Sequence, residues 1–291
     1  MLIRGKDFNL NEKTLIMGIV NATPDSFSDG GMHFKPDEAA AFALKLVDEG
    51  ADIIDVGGES TRPGFTPVSP DEELSRVIPV IKEIREKSDV PISVDTTKSE
   101  VLKAAVEAGA DILNDVSGFM LDKNMGKAAA LLNIPVILCH DGFYFNDLKP
   151  GEETGNLSLL MPKSLDPGLY IREVIAELKL LADGAMLDGV APDKIILDPG
   201  IGFGKTLKQN LILLDKMGML KDAGYPLLLG CSRKSVIGRC LDLPANERVE
   251  GTITTSVLGA LNGISILRVH DVKENLRAVR MLEAIRKGGE V

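Results

Sequence analysis

Polar side chains recur in this chain where short apolar runs end. In order they are Asn21, the segment Glu59-Ser60-Thr61-Arg62-Pro63-Gly64, Asp95, Asn114-Asp115, His140, Asp198, Ser232-Arg233-Lys234-Ser235, and Arg268 with His270. Their chemistry separates them into two sets. Asp95, Asn114, Asp198 and Lys234 supply carboxylate, amide and ammonium, which suit the donor–acceptor edge of a flat heterocycle. A carboxylate can accept two hydrogen bonds, one from a ring N–H and one from an adjacent amine. Asn21, Arg62, Arg268 and His270, with the loop backbones, suit a phosphate-type anion. Asn21 also offers a carbonyl oxygen of the kind Mg2+ takes, an ion that shares its shell with phosphates. Any single aspartate here reads equally well as a helix N-cap. Converging Asp95, Asp115 and Asp198 read better as a binding site, because a buried carboxylate is costly without partners.

Such residues need a scaffold that gathers strand ends. The first strand, Leu15–Asn21, empties into Ala22-Thr23-Pro24-Asp25-Ser26-Phe27-Ser28-Asp29-Gly30-Gly31, which is turn chemistry throughout. A helix opens at Pro36-Asp37-Glu38, with proline and acids in its first turn. The same rhythm then repeats. Strands are read within Gly50–Gly58 and its echo Gly109–Gly118, and at about Ile92–Asp95, Pro135–Cys139, Ile195–Asp198, Leu227–Gly230 and Ile266–Val269. Helices are read at about Asp71–Lys87, Ser99–Ala108, Asn124–Leu132, Tyr170–Leu181, Leu207–Met219, within Lys234–Asn262, and at Val272–Arg286. Gly50-Ala51-Asp52-Ile53-Ile54-Asp55-Val56 is echoed by Gly109-Ala110-Asp111-Ile112-Leu113-Asn114-Asp115-Val116, an internal repeat of the helix–turn–strand unit. The strands are nearly all apolar, as strands buried on both faces must be. Eight alternating units favour a closed (β/α)8 TIM barrel, an α/β fold, over an open doubly wound sheet. One domain is expected over residues 1–291. Residues 1–14 form a lead-in hairpin, and a long loop or insertion at 141–167 follows the fifth strand. In such a barrel the active site lies at the C-terminal ends of the strands.

Composition narrows the class. The 291 residues are 44% apolar but only 4% aromatic, without tryptophan, so the core is aliphatic. A net charge of −10 argues against nucleic acid as a partner, while leaving room for a small anionic substrate. No run reaches the about 18 apolar residues of a membrane span, and the N-terminus lacks the apolar core of a signal peptide. A cytoplasmic protein without a membrane partner is therefore expected. Cys139, Cys231 and Cys240 fit neither a disulfide framework nor a zinc site, and read as buried thiols in a reducing compartment. The glycines of Asp198-Pro199-Gly200-Ile201-Gly202-Phe203-Gly204-Lys205 mimic a nucleotide fingerprint without its spacing. They read as a tight turn that turns Phe203 toward a ligand.

The chain resembles the dihydropteroate synthase family along nearly its whole length. The resemblance rests on Asn21-Ala22-Thr23-Pro24-Asp25-Ser26-Phe27-Ser28-Asp29-Gly30, Gly57-Gly58-Glu59-Ser60-Thr61-Arg62-Pro63-Gly64, Ser93-Val94-Asp95-Thr96 and Asn114-Asp115-Val116-Ser117-Gly118. It continues through Asp198–Lys205, Ser232-Arg233-Lys234-Ser235 and Arg268-Val269-His270-Asp271. It implies a folate-biosynthesis transferase, usually a homodimer. The reaction would join 6-hydroxymethyl-7,8-dihydropterin diphosphate to 4-aminobenzoate with Mg2+, giving 7,8-dihydropteroate and diphosphate. On this resemblance Asp95, Asn114, Asp198 and Lys234 hold the pterin. Asn21, Arg62, Arg268 and His270 hold diphosphate, with Asn21 also on Mg2+. Phe27, Thr61, Arg62, Pro63, Phe203, Lys234 and Ser235 frame the 4-aminobenzoate. Asp29, Asp95, Asp198, Lys234 and Arg268 form the implied catalytic set. A dedicated nucleophilic serine or cysteine is not expected, and Cys231 reads as packing.

One departure from the pattern follows the fifth strand. Cys139-His140-Asp141-Gly142-Phe143-Tyr144 stands where the family has Met-His-Met-x-Gly-x-Pro. Two rival readings share the pocket: a methyltetrahydrofolate:corrinoid methyltransferase-like enzyme, and a non-catalytic pterin-binding protein. The Ser26–Gly30 loop and Ser232–Ser235 favour the synthase over the first. Asn21, Asp29, Arg62 and Arg268 together exceed what simple binding needs.

Overall fold

The computed structural model describes residues 1–10, 12–23, 35–59, 67–142 and 166–288. It opens with β1 (Leu2–Ile3) and β2 (Lys6–Asp7), paired antiparallel. Their turn places Arg4 and Gly5 at φ 49° and 71°, the left-handed conformations whose twist suits a two-residue hairpin. Eight further strands follow: β3 (Leu15–Asn21), β4 (Ile53–Gly57), β5 (Ile92–Asp95), β6 (Ile112–Asp115), β7 (Val136–Cys139), β8 (Ile195–Asp198), β9 (Leu228–Leu229) and β10 (Ile266–Val269). All run parallel, in the order β8-β7-β6-β5-β4-β3-β10-β9. A parallel bridge between Leu197 and Leu227 joins the two outer strands and closes the barrel.

Around it lie α1 (Pro36–Asp48), α2 (Pro70–Lys87), α3 (Ser99–Ala108), α4 (Met125–Leu132), α5 (Pro167–Leu187), α6 (Leu207–Asp215), α7 (Ser235–Leu241), α8 (Val249–Leu261) and α9 (Val272–Arg286). Local chemistry sets several boundaries. Ser69 accepts from the Glu72 amide ahead of Pro70, Asp166 accepts from the Leu169 amide ahead of Pro167, and Thr206 with Gln209 forms a capping box. α3 ends on Gly109 at φ 118°. Two helices differ from the sequence reading. α5 is longer at both ends than Tyr170–Leu181: the Asp166 cap starts it earlier, and it runs on to Leu187. The reading Leu207–Met219 divides into α6 and a 3-10 helix, Met217–Ala223, that stops on Gly224 at φ 85°. Of the 141–167 span, residues 143–165 lie outside the described residues.

Alternation along the strands sorts the core into two shells. Ile16, Val20, Ile54, Val56, Val94, Leu113, Leu138, Leu197 and Leu267 face outward, packed against the helices. Met17, Ile53, Ile112, Ile137, Ile196, Leu228 and Ile266 face inward at the lower end of the barrel, with Ile3 and Leu10 of the lead-in plugging the opening beneath them. Stepping two residues up from this apolar layer leads to Asp55, Asn114, Cys139, Asp198, Gly230 and Arg268, and on β3 to Ile19. Thus the lower interior is aliphatic and the upper interior is largely polar.

The echoed segments carry the same bottom fastening. The Asp52 carboxylate accepts from the Ile16 amide at 2.9 Å, and the Asp111 carboxylate accepts from the Ile92 amide at 2.9 Å. Each is met by a cation, Lys13 at 2.8 Å and Arg85 at 2.7 Å.

Candidate active site

The upper interior is organised around one guanidinium. Arg268 on β10 donates from Nε to Asp55 at 2.6 Å and from Nη2 to Asp95 at 2.7 Å. Asp55 is wholly buried, and its oxygens lie 3.3 and 3.5 Å from the Asn114 amide nitrogen. Register explains the cluster: Gly57 lies opposite Asp95, and Asp95 opposite Asn114. Burial pushes the Asp95 carboxyl up to about 7; Arg268 opposes this and the Asp55 charge adds to it. Burial also works against the Arg268 charge, but Asp55 and Asp95 hold its pKa above arginine's ordinary value.

A second centre stands across the barrel. Asp198 ends β8, and its Oδ1 accepts from the Gly200 amide at 2.7 Å. A Cβ on Gly230 would stand 3.7 Å from Asp198 Oδ2 and 3.9 Å from Lys234 Nζ, so the glycine leaves a space that both groups border. Lys234 donates to the Ile201 carbonyl at 2.5 Å and sits over the Phe203 ring, 4.3 Å from its centroid. Burial raises the Asp198 pKa against the pull of Lys234, and burial lowers the Lys234 pKa against the pull of Asp198. Opposed shifts of this kind, in neighbouring groups at the strand ends, suit a site that exchanges hydrogen bonds or protons with a ligand.

The turn that carries Phe203 is fastened from below. Buried Lys205 donates to the carbonyls of His140, Gly200 and Phe203 at 2.8, 2.8 and 2.9 Å. Gly200 has φ 67°, and a Cβ there would lie 1.9 Å from the His140 carbonyl oxygen, so no other residue fits. On the opposite rim, Ser232 Oγ lies 3.0 Å from His270 Nδ1 and accepts from the His270 amide at 3.1 Å. Arg233, at φ 56°, clamps Asp271 with bonds of 3.0 and 2.5 Å. This turn presents Lys234 inward and leaves Ser235 exposed at the start of α7. Asn21 is half-buried at the end of β3.

Asp95, Asn114, Asp198, Lys234 and Arg268 are therefore gathered in the upper interior. Asn21, Phe203, Ser235 and His270 lie on its rim. Phe27, Asp29, Thr61, Arg62 and Pro63 lie outside the described residues.

Three readings need correction. Asp115 does not join the floor: its oxygens accept from the Ser117 amide, the Ser117 hydroxyl and the Phe119 amide at 2.8, 2.7 and 3.1 Å. It belongs to the outward-facing set and serves its own turn, with burial pushing its pKa up to about 6. His140 is likewise turned outward, its Nε2 lying 2.7 Å from Glu177 on α5. Cys240 is exposed; only Cys139 and Cys231 are buried. Burial pushes the Cys231 thiol up to about 11, in keeping with a packing role. The sequence reading missed Asp55. The internal repeat aligns it with Asn114, a signal that pointed to the same inward place.

In chemical terms the interior offers carboxylate acceptors, an amide and two cations to a planar polar molecule. Among the described residues no cluster of three or more His, Cys, Asp or Glu could hold a metal. The Asn21 carbonyl oxygen nevertheless suits Mg2+, which takes few protein ligands when it shares phosphates.

Comparison with known proteins agrees with this chemistry. The family model described as pterin binding enzyme matches residues 17–270. The dihydropteroate synthase of Clostridium beijerinckii is 47% identical over 286 residues, covering 98% of this chain and 99% of that protein. The Xanthomonas albilineans dihydropteroate synthase solved with 4-aminobenzoic acid superposes with a TM-score of 0.85 at 38% identity, covering 97% of this chain and 96% of that one. The same organism's enzyme solved in complex with 7,8-dihydropteroate gives a TM-score of 0.81 at 36% identity, covering 96% and 95%. The chain belongs to the pterin-binding enzymes, in the dihydropteroate synthase family.

Proposed function

We propose that this member of the family condenses 6-hydroxymethyl-7,8-dihydropterin diphosphate with 4-aminobenzoate, releasing diphosphate and forming 7,8-dihydropteroate. The observation that carries the reading is the polar upper interior of Asp95, Asp198, Asn114 and Lys234, bordered by Gly57 and Gly230, which bring no side chain into it. The carboxylates accept from the pterin ring N–H and amine, while Asn114 and Lys234 meet its carbonyl and ring nitrogen. Phe203 and Ser235 on the rim, with Phe27, Thr61, Arg62 and Pro63, frame the arylamine.

The bond between the pterin methylene and oxygen breaks with its electron pair on diphosphate. Asn21, Arg62, Arg268 and His270 receive that anion. Arg268 has five N–H donors, and two serve Asp55 and Asp95, leaving others for a phosphate. Positive charge left on the methylene is balanced by Asp95, Asp198 and Asp29. The arylamine lone pair then forms the C–N bond, and the amine proton passes to solvent or diphosphate. The amine needs placement more than activation. Mg2+ would be held by Asn21 and the phosphates, and when bound it neutralises charge on the leaving group.

We further propose a cytoplasmic homodimer. Its interface would cover the exposed Leu241, Leu261, Met281 and Ile285 of α7, α8 and α9. No helix among the described residues is long and apolar enough to cross a membrane.

A coupled assay for diphosphate release, run with and without 4-aminobenzoate, tests the reaction. Release that depends on the arylamine supports it. Pterin binding without release would leave a binding protein, and methyl transfer without release would leave the corrinoid-dependent alternative.

A further inference from the structure

A second charged cluster lies beside the floor, where the chain leaves β4 and enters α2. Lys98 follows the end of β5 by three residues and stands just before α3. Its Nζ donates to Glu59 at 2.8 Å and to Glu73 at 2.5 Å. Glu59 stands two residues beyond β4, and the same oxygen that meets Lys98 also accepts from the Val68 amide at 2.8 Å. Residues 59 and 68, either side of the 60–66 span, are thus joined through one carboxylate. Glu73, in the first turn of α2, is wholly buried. Its second oxygen accepts no bond among the described residues, so Lys98 is the cation that makes its burial tolerable. Arg76 of α2 completes the arrangement by donating to the Gly58 carbonyl at 2.7 Å. A Cβ on Gly58 would lie 2.8 Å from Val77 and 3.0 Å from Glu73, so the chain there is pressed directly onto the helix.

The turn after β6 is fastened more simply. Asp115 serves it with bonds to its own neighbours. Two buried or half-buried carboxylates sharing one ammonium is costlier, since such a network is favourable only when complete. Its geometry links three things: the end of β4, the start of α2, and the end of β5 that carries Asp95.

We propose that Glu59, Lys98 and Glu73 are positioning residues for the second substrate. They fix the points where the 60–66 span leaves and rejoins the barrel, and so govern capture of the arylamine without touching the pterin. The inference rests on the proposed reaction, in which Thr61, Arg62 and Pro63 frame the arylamine. The ammonium is well suited to a permanent role. Burial works against its charge, yet the bonds from Glu59 and Glu73 raise its pKa above the ordinary lysine value.

The test compares Glu59→Gln, Lys98→Met and Lys98→Arg with the unaltered enzyme. Steady-state kinetics give KM for each substrate, calorimetry gives pterin affinity, and thermal melting checks the fold. The expected result for Glu59→Gln and Lys98→Met is a KM for 4-aminobenzoate raised about tenfold. Pterin affinity and the KM for pterin diphosphate stay within about twofold, and Lys98→Arg recovers most of the loss. Equal rises in both KM values, or a fall in kcat with neither KM changed, would overturn the proposal. Lys98→Met strips Glu73 of its cation. Should it fail to fold, Glu59→Gln carries the test alone, because it leaves the Lys98–Glu73 bond in place. An unaltered enzyme that turns over 4-aminobenzoate while the variants show no split removes only this inference. An inactive unaltered enzyme removes the assigned reaction and the inference with it.

Discussion

Replacing Arg268 with methionine probes the floor most directly. The guanidinium is shared by Asp55 and Asp95 at 2.6 and 2.7 Å, and both carboxylates are buried. Removing one partner of a buried ion pair costs about 3–5 kcal/mol, because the remaining charge is left uncompensated. Here two carboxylates remain, so the site relieves itself by keeping a proton. Asp95 already titrates near 7 in the intact protein, and without the guanidinium its pKa rises further. A carboxyl with a folded pKa above its unfolded value binds more protons when folded. Stability therefore falls as pH rises from the ordinary carboxylate range up to the folded pKa. For the unaltered protein that fall ends near 7. For Arg268→Met it continues above 7, by up to about 1.4 kcal/mol per pH unit. The loss relative to the unaltered protein is then larger at pH 8 than at pH 7. Adding Asp55→Asn removes the second charge and recovers part of the loss, with a coupling of about 1–3 kcal/mol. Urea unfolding of the unaltered protein, Arg268→Met, Asp55→Asn and the double variant at pH 7 and 8 measures all of these. An Arg268→Met loss equal at both pH values, with no recovery in the double variant, would show that the two carboxylates do not share the guanidinium's charge.

The remaining predictions concern ligand binding. Asp198→Ala is expected to lower pterin affinity by about ten- to a hundredfold, as loss of a charged hydrogen bond of about 1.5–3 kcal/mol implies. Asp115→Ala is expected to cost about 1–3 kcal/mol of stability through its stranded amides and to leave pterin affinity within about twofold. Calorimetry and urea unfolding separate the two, and a pterin defect in Asp115→Ala would reinstate it in the floor. Pterin affinity itself is expected to rise with pH up to about 7, since donors on the ring favour the ionised Asp95 whose pKa burial has raised. Titrations at pH 6 and 8, in buffers of differing ionisation enthalpy, should show proton release at the lower pH; pH-independent affinity without proton release would contradict it.

Alternation of strand and helix was plain in the sequence because each strand is a short, nearly unbroken apolar run with turn residues behind it. β3, β5, β8 and β10 fall where the sequence places them. Strand parity is harder to see in such runs, since a strand buried on both faces carries no polar–apolar alternation. This is why Asp115 was grouped with Asp95 and Asp198, one residue away from the inward-facing Asn114. It is also why Asp55, set among isoleucines and valine, was passed over. The internal repeat resolves both cases. It aligns Asp55 with Asn114, and it aligns Asp52 with Asp111, whose shared fastening of a neighbouring strand could not be read from composition. The Glu59–Lys98–Glu73 cluster was equally hidden, because its three members are brought together only by the packing of β4, α2 and the β5–α3 turn.

The distribution of charge separates stability from function within one barrel. At the bottom, Asp52 and Asp111 each meet a cation and a backbone amide, and the interior above them is aliphatic and sealed by the hairpin. In the upper interior Asp55, Asp95 and Asp198 stand with Arg268 and Lys234, and Lys205 also acts on Asp198. Such a buried charge cluster does little for the fold, since an apolar filling of the same volume is often as stable. Burial pushes Asp95 and Asp198 up and Lys234 down, so each charged form is held at a cost. An interior of this kind is arranged for a partner whose hydrogen bonds favour those charged forms. A reduced pterin offers such an edge, and the positive charge that develops when its diphosphate departs would be met by the same carboxylates. In the proposed reaction the anion would be received by Arg268 of the floor and His270 of the rim. The charges that burial disfavours in the free protein are thus those the proposed reaction would engage.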